Sequence, residues 1–319
     1  MTSRPRPRGG PRLLVTDRSC AVLLERSKVR VDGGRVVYDA VDDAMVRTFA
    51  IPHVNVAVLF LGQGTSITQD AVRLLAEEHV HIAFVGSGGT PIHAGALTTY
   101  SSTDHFRRLI PVYLDPDRSA KAATRLMSTR LGTMRDVAPR IAKGVGGPLP
   151  GSLGEACARF ERSLGSVTDT RTLLGYEGTF AKACYAAFGE WAGVKGFRRT
   201  PGEADEDAPD MVRAVNRLVD HGNYLAYGMA GAALWVLGIP PHMSVLHGKT
   251  RPGGLVFDVA DAFKDAFVLP LAFAGAVGGG APERLDVEFR GRLIDAMETE
   301  RVLVIAIKAI EAMLGPRDA

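Results

Sequence analysis

Hydrophobic residues change their spacing near Tyr100, and that change limits the possible folds more than any other feature of the chain. Before it, apolar residues come in short runs at 13–15, 21–24, 29–31, 35–38, 54–60 and 82–85, parted by turn residues. Runs of this length bounded by Gly, Asp and Pro are strands. Asp32-Gly33-Gly34 is hairpin chemistry, because glycine accepts the positive φ of a tight turn. One helix interrupts the set, where Ser66 and Gln69 form a capping-box pattern ahead of Ala71, Val72, Leu74 and Leu75. Past Tyr100 the apolar period lengthens to helical spacing. Asp117 can cap a long basic helix, 143–152 is a Gly/Pro-rich break, and helical patterns follow over 153–164, 168–188, 210–237, 258–273 and 287–314. The expected fold class is α+β: a basic flexible tail over 1–12, a predominantly β domain over 13–103 and an all-α domain over 104–319.

A chain of 319 residues that is 46% hydrophobic can bury a full core and favours two domains. Net charge is only +3, but it is unevenly placed. The first twelve residues are basic, and Arg107, Arg108, Arg118, Lys121, Arg125, Arg130, Arg135, Arg140 and Lys143 crowd one further stretch. Such a run reads either as a solvated helix face or as a surface for phosphates. Cys20, Cys157 and Cys184 show no C-x-x-C spacing, so neither a disulfide framework nor a structural zinc site is expected, and a reducing cytoplasm fits. The tail lacks the apolar core of a secretory signal. Residues 222–246 carry no Asp, Glu, Lys or Arg, but Gly238 and Pro240-Pro241 break the run before it comfortably reaches the ~20 apolar residues of a membrane span.

The stretch from His242 to Lys264 gathers imidazoles, basic side chains and carboxylates around Pro252-Gly253-Gly254. If a helix follows that turn, Asp258 and Asp261 stand one turn apart, about 5–6 Å between Cβ atoms. With His247 they offer oxygen and nitrogen ligands to Mg²⁺ or Mn²⁺. The same D-x-x-D also suits a helix start, with Asp258 as cap, because Asp258, Asp261 and Asp265 avoid the Val259, Ala262, Phe263, Ala266, Phe267 stripe. Glu177 is a different case. It interrupts the apolar stripe Leu173, Phe180, Cys184, Phe188, and a core-facing carboxylate must be protonated, salt-bridged or metal-bound unless its head reaches water.

Phosphate-binding alternatives fail on spacing. Gly62-Gln-Gly64 lacks the third glycine of a dinucleotide fingerprint, which falls on Ile67, and Val85 stands where a nucleophile elbow around Ser87 needs its first glycine. His247-Gly-Lys-Thr250 has the tail of a P-loop, but Met243 occupies the first glycine position and Pro252 forbids the helix that should follow.

Three segments together resemble a known family: Gly175-Tyr-Glu-Gly-Thr-Phe180, Asp220-His-Gly-Asn-Tyr-Leu-Ala-Tyr-Gly228, and Leu246-His-Gly-Lys-Thr-Arg-Pro-Gly-Gly-Leu-Val-Phe-Asp-Val-Ala-Asp261. They look like the CRISPR-associated adaptation endonuclease, or spacer integrase, and the last two look most like its type I-F branch. Leu61-Gly-Gln-Gly-Thr-Ser-Ile-Thr-Gln69 and Phe84-Val-Gly-Ser-Gly-Gly-Thr-Pro91 agree, so the resemblance spans nearly the whole chain after the tail.

The resemblance implies a catalytic helical domain in which Glu177, His247 and Asp261 hold Mg²⁺ or Mn²⁺ and Asp258 supports the site. It implies a cytoplasmic homodimer that acts on double-stranded DNA with a smaller universal adaptation partner, fused in the type I-F branch to a helicase-nuclease. Lys249, Arg251 and Lys264 become candidates for DNA phosphates, and the basic run beginning at Arg107 and Arg108 becomes part of a DNA track. His242 stays outside the site as a turn residue. Asn223 reads equally as a buried capping group or a residue near DNA, and Tyr224 and Tyr227 equally as core or dimer contact. The competing classes are a non-catalytic DNA-binding scaffold, against which the intact Glu177, His247, Asp258 and Asp261 argue, and an unrelated metal-dependent phosphodiesterase of small substrates.

Overall fold

The structure, a computed structural model, describes residues 18–42, 45–85, 92–94, 103–200, 208–248 and 253–316. The expected tail, the 13–15 strand, the segment around Ser87, most of the acidic 200–209 loop, and Lys249 and Arg251 lie outside the described residues.

The amino-terminal elements are β1 (Ser19–Leu24), β2 (Lys28–Asp32), β3 (Arg35–Asp42), β4 (Met45–Ala50), β5 (Val56–Leu61), β6 (Ser66–Ile67), α1 (Gln69–Glu77), β7 (His81–Phe84) and β8 (Ile92–Ala94). They make two sheets, ordered β1-β5-β7-β8 and β4-β3-β2-β6. Gly33 and Gly34, at φ +55 and +77, turn β2 into β3 as the hairpin reading requires.

The β5 run VAVLFL is buried on both faces. Val58 and Phe60 join the core shared with the helices, while Leu59 and Leu61 join a smaller core under α1. This strand therefore couples the two halves of the chain.

The remaining elements are α2 (Asp104–Leu114), α3 (Pro116–Asp136), α4 (Ala138–Val145), α5 (Gly151–Leu164), α6 (Thr170–Ala192), α7 (Asp210–Val236), α8 (Gly254–Asp261), α9 (Lys264–Gly278), α10 (Pro282–Thr299) and α11 (Val302–Leu314). The α+β class is as expected. A Cβ on Gly228 of α7 would lie 2.0 Å from Phe60 of β5, so glycine permits the helix to rest directly on the sheet. Arg290 of α10 adds an ion pair with Glu25 after β1, at 2.9 Å.

Several local expectations are corrected. α1 is capped by Thr68, whose hydroxyl accepts from the Ala71 amide, while Ser66 lies in β6. α3 is capped by Asp115, ahead of Pro116 at the first helical position, in place of Asp117. β4 was not expected because its residues are exposed, with no alternating buried face to mark it. β5, α1 and β7 form one parallel β-α-β crossover.

The expected 258–273 helix is two helices. Ala262 and Phe263 close tight turns onto Val259 and Ala260 carbonyls at 3.1 and 3.0 Å, and Phe263 leaves the helical region at φ −142. Neither Gly nor Pro marks the corner. The expected 287–314 helix also divides, at Arg301, which takes φ +54.

Candidate metal centre

Asp258 lies in the second turn of α8 and is fully buried, so it is not the helix cap the sequence suggested. Its Oδ2 accepts from the Ser244 hydroxyl at 2.8 Å and from the Val245 and Leu246 amides at 2.7 and 3.1 Å. Its Oδ1 accepts from the His247 amide at 3.1 Å and faces His247 Nδ1 at 2.7 Å. A carboxylate surrounded by donors leaves Nδ1 to carry the proton, so in the neutral ring Nε2 presents its lone pair. One buried acid thus shapes the loop before α8 and sets the imidazole's tautomer.

Glycine makes this approach possible. A Cβ on Gly254, the first residue of α8, would stand 2.7 Å from the Ser244 Cβ. Gly248 and Gly253 flank the turn at φ +79 and +68, where other residues are strained.

His247 Nε2 lies 3.6 Å from Oδ2 of Asp261, at the carboxyl end of α8. The other oxygen of Asp261 is ion-paired with the Lys264 ammonium at the start of α9. Burial opposes ionisation of Asp261, but Lys264, His247 and Arg130 outweigh it and lower its pKa. Burial likewise opposes the His247 imidazolium, but the hydrogen bond to Asp258 and the charges of Asp261 and Asp258 raise its pKa. Lys264, expected at a DNA phosphate, is instead turned inward. Its burial is outweighed first by Asp261, and its pKa is raised.

Glu177 sits on α6 with its side chain 19% exposed and is salt-bridged, one of the alternatives its place in the apolar stripe left open. Its partner is Arg130 of α3, whose Nη1 donates to Oε1 at 2.7 Å. Arg130 Nη2 pairs with Asp265 of α9. Reading Arg130 as part of an exposed basic run was therefore mistaken. It falls on the buried α3 stripe of Ala123, Leu126, Met127 and Met134, and the stripe rule that singled out Glu177 applies to it equally.

Thus His247, Asp258, Asp261 and Lys264 meet directly, while Glu177 joins the network through Arg130. Among the described residues, no three His, Cys, Asp or Glu side chains yet converge closely enough to enclose a metal.

The rest of the basic run is largely committed within the fold. Arg108 and Arg125 donate to the Gly315 and Met313 carbonyls at the end of α11, where the helix dipole favours cations. Arg108 was expected on DNA, and one terminal nitrogen of its guanidinium makes this capping contact. Arg135 grips Glu161 and Arg140 grips Glu300, each through two or more hydrogen bonds. Arg107, Lys121 and Lys143 are exposed. His242 is exposed in the turn before the loop, and Tyr227 stacks edge-on against Phe257 of α8 with 4.7 Å between centroids.

Residues 21–276 match the family described as CRISPR associated protein Cas1. The chain belongs to the Cas1 family. It is 32% identical over 313 residues to the CRISPR-associated endonuclease Cas1 of Pectobacterium atrosepticum, covering 94% of this chain and 93% of that protein. It is 33% identical over 313 residues to the protein of the same description from Pseudomonas aeruginosa, with 94% of each covered. The crystal structure of a TtCas1–DNA complex superposes with a TM-score of 0.69 at 26% identity, covering 94% of this chain and 93% of that one. The resemblance read from the Glu177, Tyr224 and His247 segments therefore identifies the Cas1 family correctly, and the two relatives fit its type I-F-like form.

Proposed function

We propose that this chain is the endonuclease and integrase of CRISPR adaptation, joining short DNA fragments to the repeat array by phosphodiester transesterification. The observation that carries the reading within a Cas1 fold is His247: Nδ1 tied to buried Asp258, and Nε2 facing Asp261 at 3.6 Å.

We infer that Glu177, His247 and Asp261 hold Mg²⁺ or Mn²⁺. The donor set, one imidazole nitrogen and two carboxylates, suits those ions. Charge supports it too. Among the described residues of this network, the four carboxyl groups of Glu177, Asp258, Asp261 and Asp265 meet two cations, Arg130 and Lys264, so with His247 neutral a divalent cation would complete that balance.

When bound, the ion would polarise the target phosphate and stabilise charge on the leaving oxygen. The chain's own part is to fix the ligands before DNA arrives. Asp258 keeps the imidazole from rotating, and the Gly253-Gly254 turn brings its loop against α8. The nucleophile is a DNA 3′-hydroxyl in joining and water in cleavage. Arg107 is an exposed cation for the DNA backbone, and Lys249 and Arg251, close after His247 in sequence, are further candidates for the same polyanion.

The wider assignment goes with this reading: catalysis in the helical half from residue 104, double-stranded DNA as substrate, a homodimer, the smaller adaptation partner and a cytoplasmic setting; the similar TtCas1 structure is a complex with DNA. No described helix is long and apolar enough to cross a membrane.

The test supplies short duplex DNA and a repeat-containing plasmid with Mn²⁺ and looks for covalently joined product. Glu177→Ala and His247→Ala should abolish joining while DNA binding persists. Wild-type joining by both variants would remove the metal site, and absence of joining by the wild type would remove the function.

A further inference from the structure

Arg130 has no access to solvent from which to meet DNA. Its side chain is 2% exposed, among Leu126, Met127 and Met134 on the buried face of α3. The guanidinium spreads between two helices. One terminal nitrogen donates to Glu177 Oε1 at 2.7 Å, the other pairs with buried Asp265, and the guanidinium carbon lies 5.2 Å from the Phe180 ring centre. Phe180 follows Glu177 by one turn of α6, so Arg130 touches that helix twice beside the carboxylate.

Glu177 and Asp265 flank the guanidinium, one at each terminal nitrogen. An arginine side chain stays a cation even when buried. A cation with a rigid fork fixes the carboxylate it holds in distance and in plane. Only Oε1 of Glu177 is engaged by Arg130. His247 and Asp261 show the same arrangement: Asp258 holds Nδ1 of the imidazole, Lys264 holds Oδ1 of Asp261, and Nε2 and Oδ2 turn toward each other.

We propose that Arg130, braced by Asp265, is a positioning residue for Glu177, fixing Oε1 so that Oε2 is presented as a metal ligand. The assignment rests on the metal reading of Glu177 made above. It gives Asp265 a specific task as the anchor that fixes the angle of the guanidinium. Lysine at 130 cannot reproduce this, because a single ammonium lacks the planar fork that reaches both carboxylates.

The test measures Mn²⁺ affinity of the full-length protein by the electron paramagnetic resonance signal of free Mn²⁺, alongside thermal unfolding in EDTA. The variants are Arg130→Lys, Asp265→Asn, Glu177→Gln and the double variant Arg130→Lys/Glu177→Gln. Loss of an outer partner of a metal ligand typically weakens metal binding about 10- to 100-fold. Arg130→Lys and Asp265→Asn should each show a weakening of that size while unfolding cooperatively. In joining assays they should lower kcat more than they raise KM for DNA.

The double variant separates positioning from general stability, because effects through a shared partner do not add. Once Glu177 is glutamine, Arg130→Lys should weaken Mn²⁺ binding little further. A folded Arg130→Lys or Asp265→Asn protein with wild-type Mn²⁺ affinity would overturn the proposal, and so would a loss of equal size in the Glu177→Gln background. Failure of the underlying metal reading looks different: Glu177→Gln itself would bind Mn²⁺ as the wild type does.

Discussion

Nδ1 of His247 lies 2.7 Å from Oδ1 of Asp258, and the same carboxylate accepts the amides of Val245, Leu246 and His247. The acid that orients the imidazole also builds the loop that carries it. Orientation and loop geometry therefore cannot be altered separately.

Asp258→Asn should damage both. The amide keeps one acceptor oxygen but turns an NH₂ toward groups that are themselves donors, leaving buried N–H groups unpaired at a cost of about 1–3 kcal/mol each. We expect a lower urea midpoint and Mn²⁺ binding weaker by about 10- to 100-fold. Unchanged Mn²⁺ affinity in this variant would show that the tether to His247 does not matter to the ion.

Gly254→Ala probes the same loop from the other side. Its new Cβ would meet the Ser244 Cβ at 2.7 Å, and overpacking of this kind costs about 1–3 kcal/mol. Joining activity should fall sharply while DNA affinity stays near wild type. Gly291→Ala on α10 is the control, since nothing lies within 4 Å of its added methyl, and it should raise stability by about 0.5–1 kcal/mol. Parallel behaviour of the two variants would mean that the Ser244 contact has no special weight.

How much of this was legible in the sequence depends on how far each signal reaches along the chain. Glu177 could be found because it interrupts an apolar stripe on its own helix, and the glycines around His247 announce a turn. The partners Arg130 and Asp265 come from α3 and α9, remote in sequence, and their pairing exists only once the helices pack. Composition misled as well: a run rich in arginine looks solvated, yet Arg130 lies in its midst with its side chain buried. The corner at Ala262 and Phe263 carries no Gly or Pro, so nothing local separates α8 from α9, and Asp258 is not at a helix start because α8 already begins at Gly254.

Arg107 and Arg108 are neighbours with different tasks. Arg107 is exposed, and Arg107→Ala should weaken DNA binding modestly and reduce the salt dependence by about one unit of slope. Arg108 caps α11 through the Gly315 carbonyl, so Arg108→Ala should lower thermal stability by about 0.3–1 kcal/mol with little change in that slope. Equal salt slopes for the two variants would contradict this division.

Gly228→Ala tests the coupling of the two halves. A methyl 2.0 Å from Phe60 Cε1 must push α7 away from β5, at about 1–3 kcal/mol or more. We expect earlier proteolysis and a less cooperative unfolding transition. A variant as stable as wild type would show that the helix–sheet contact is slack.

The most direct measurement of the central claim is anomalous diffraction from crystals soaked in Mn²⁺. A peak bounded by Nε2 of His247, a carboxylate oxygen of Asp261 and a carboxylate oxygen of Glu177, with Asp258 still holding Nδ1, is the predicted result. Ordered side chains at all three residues with no peak between them, or a peak held by other residues, would contradict it.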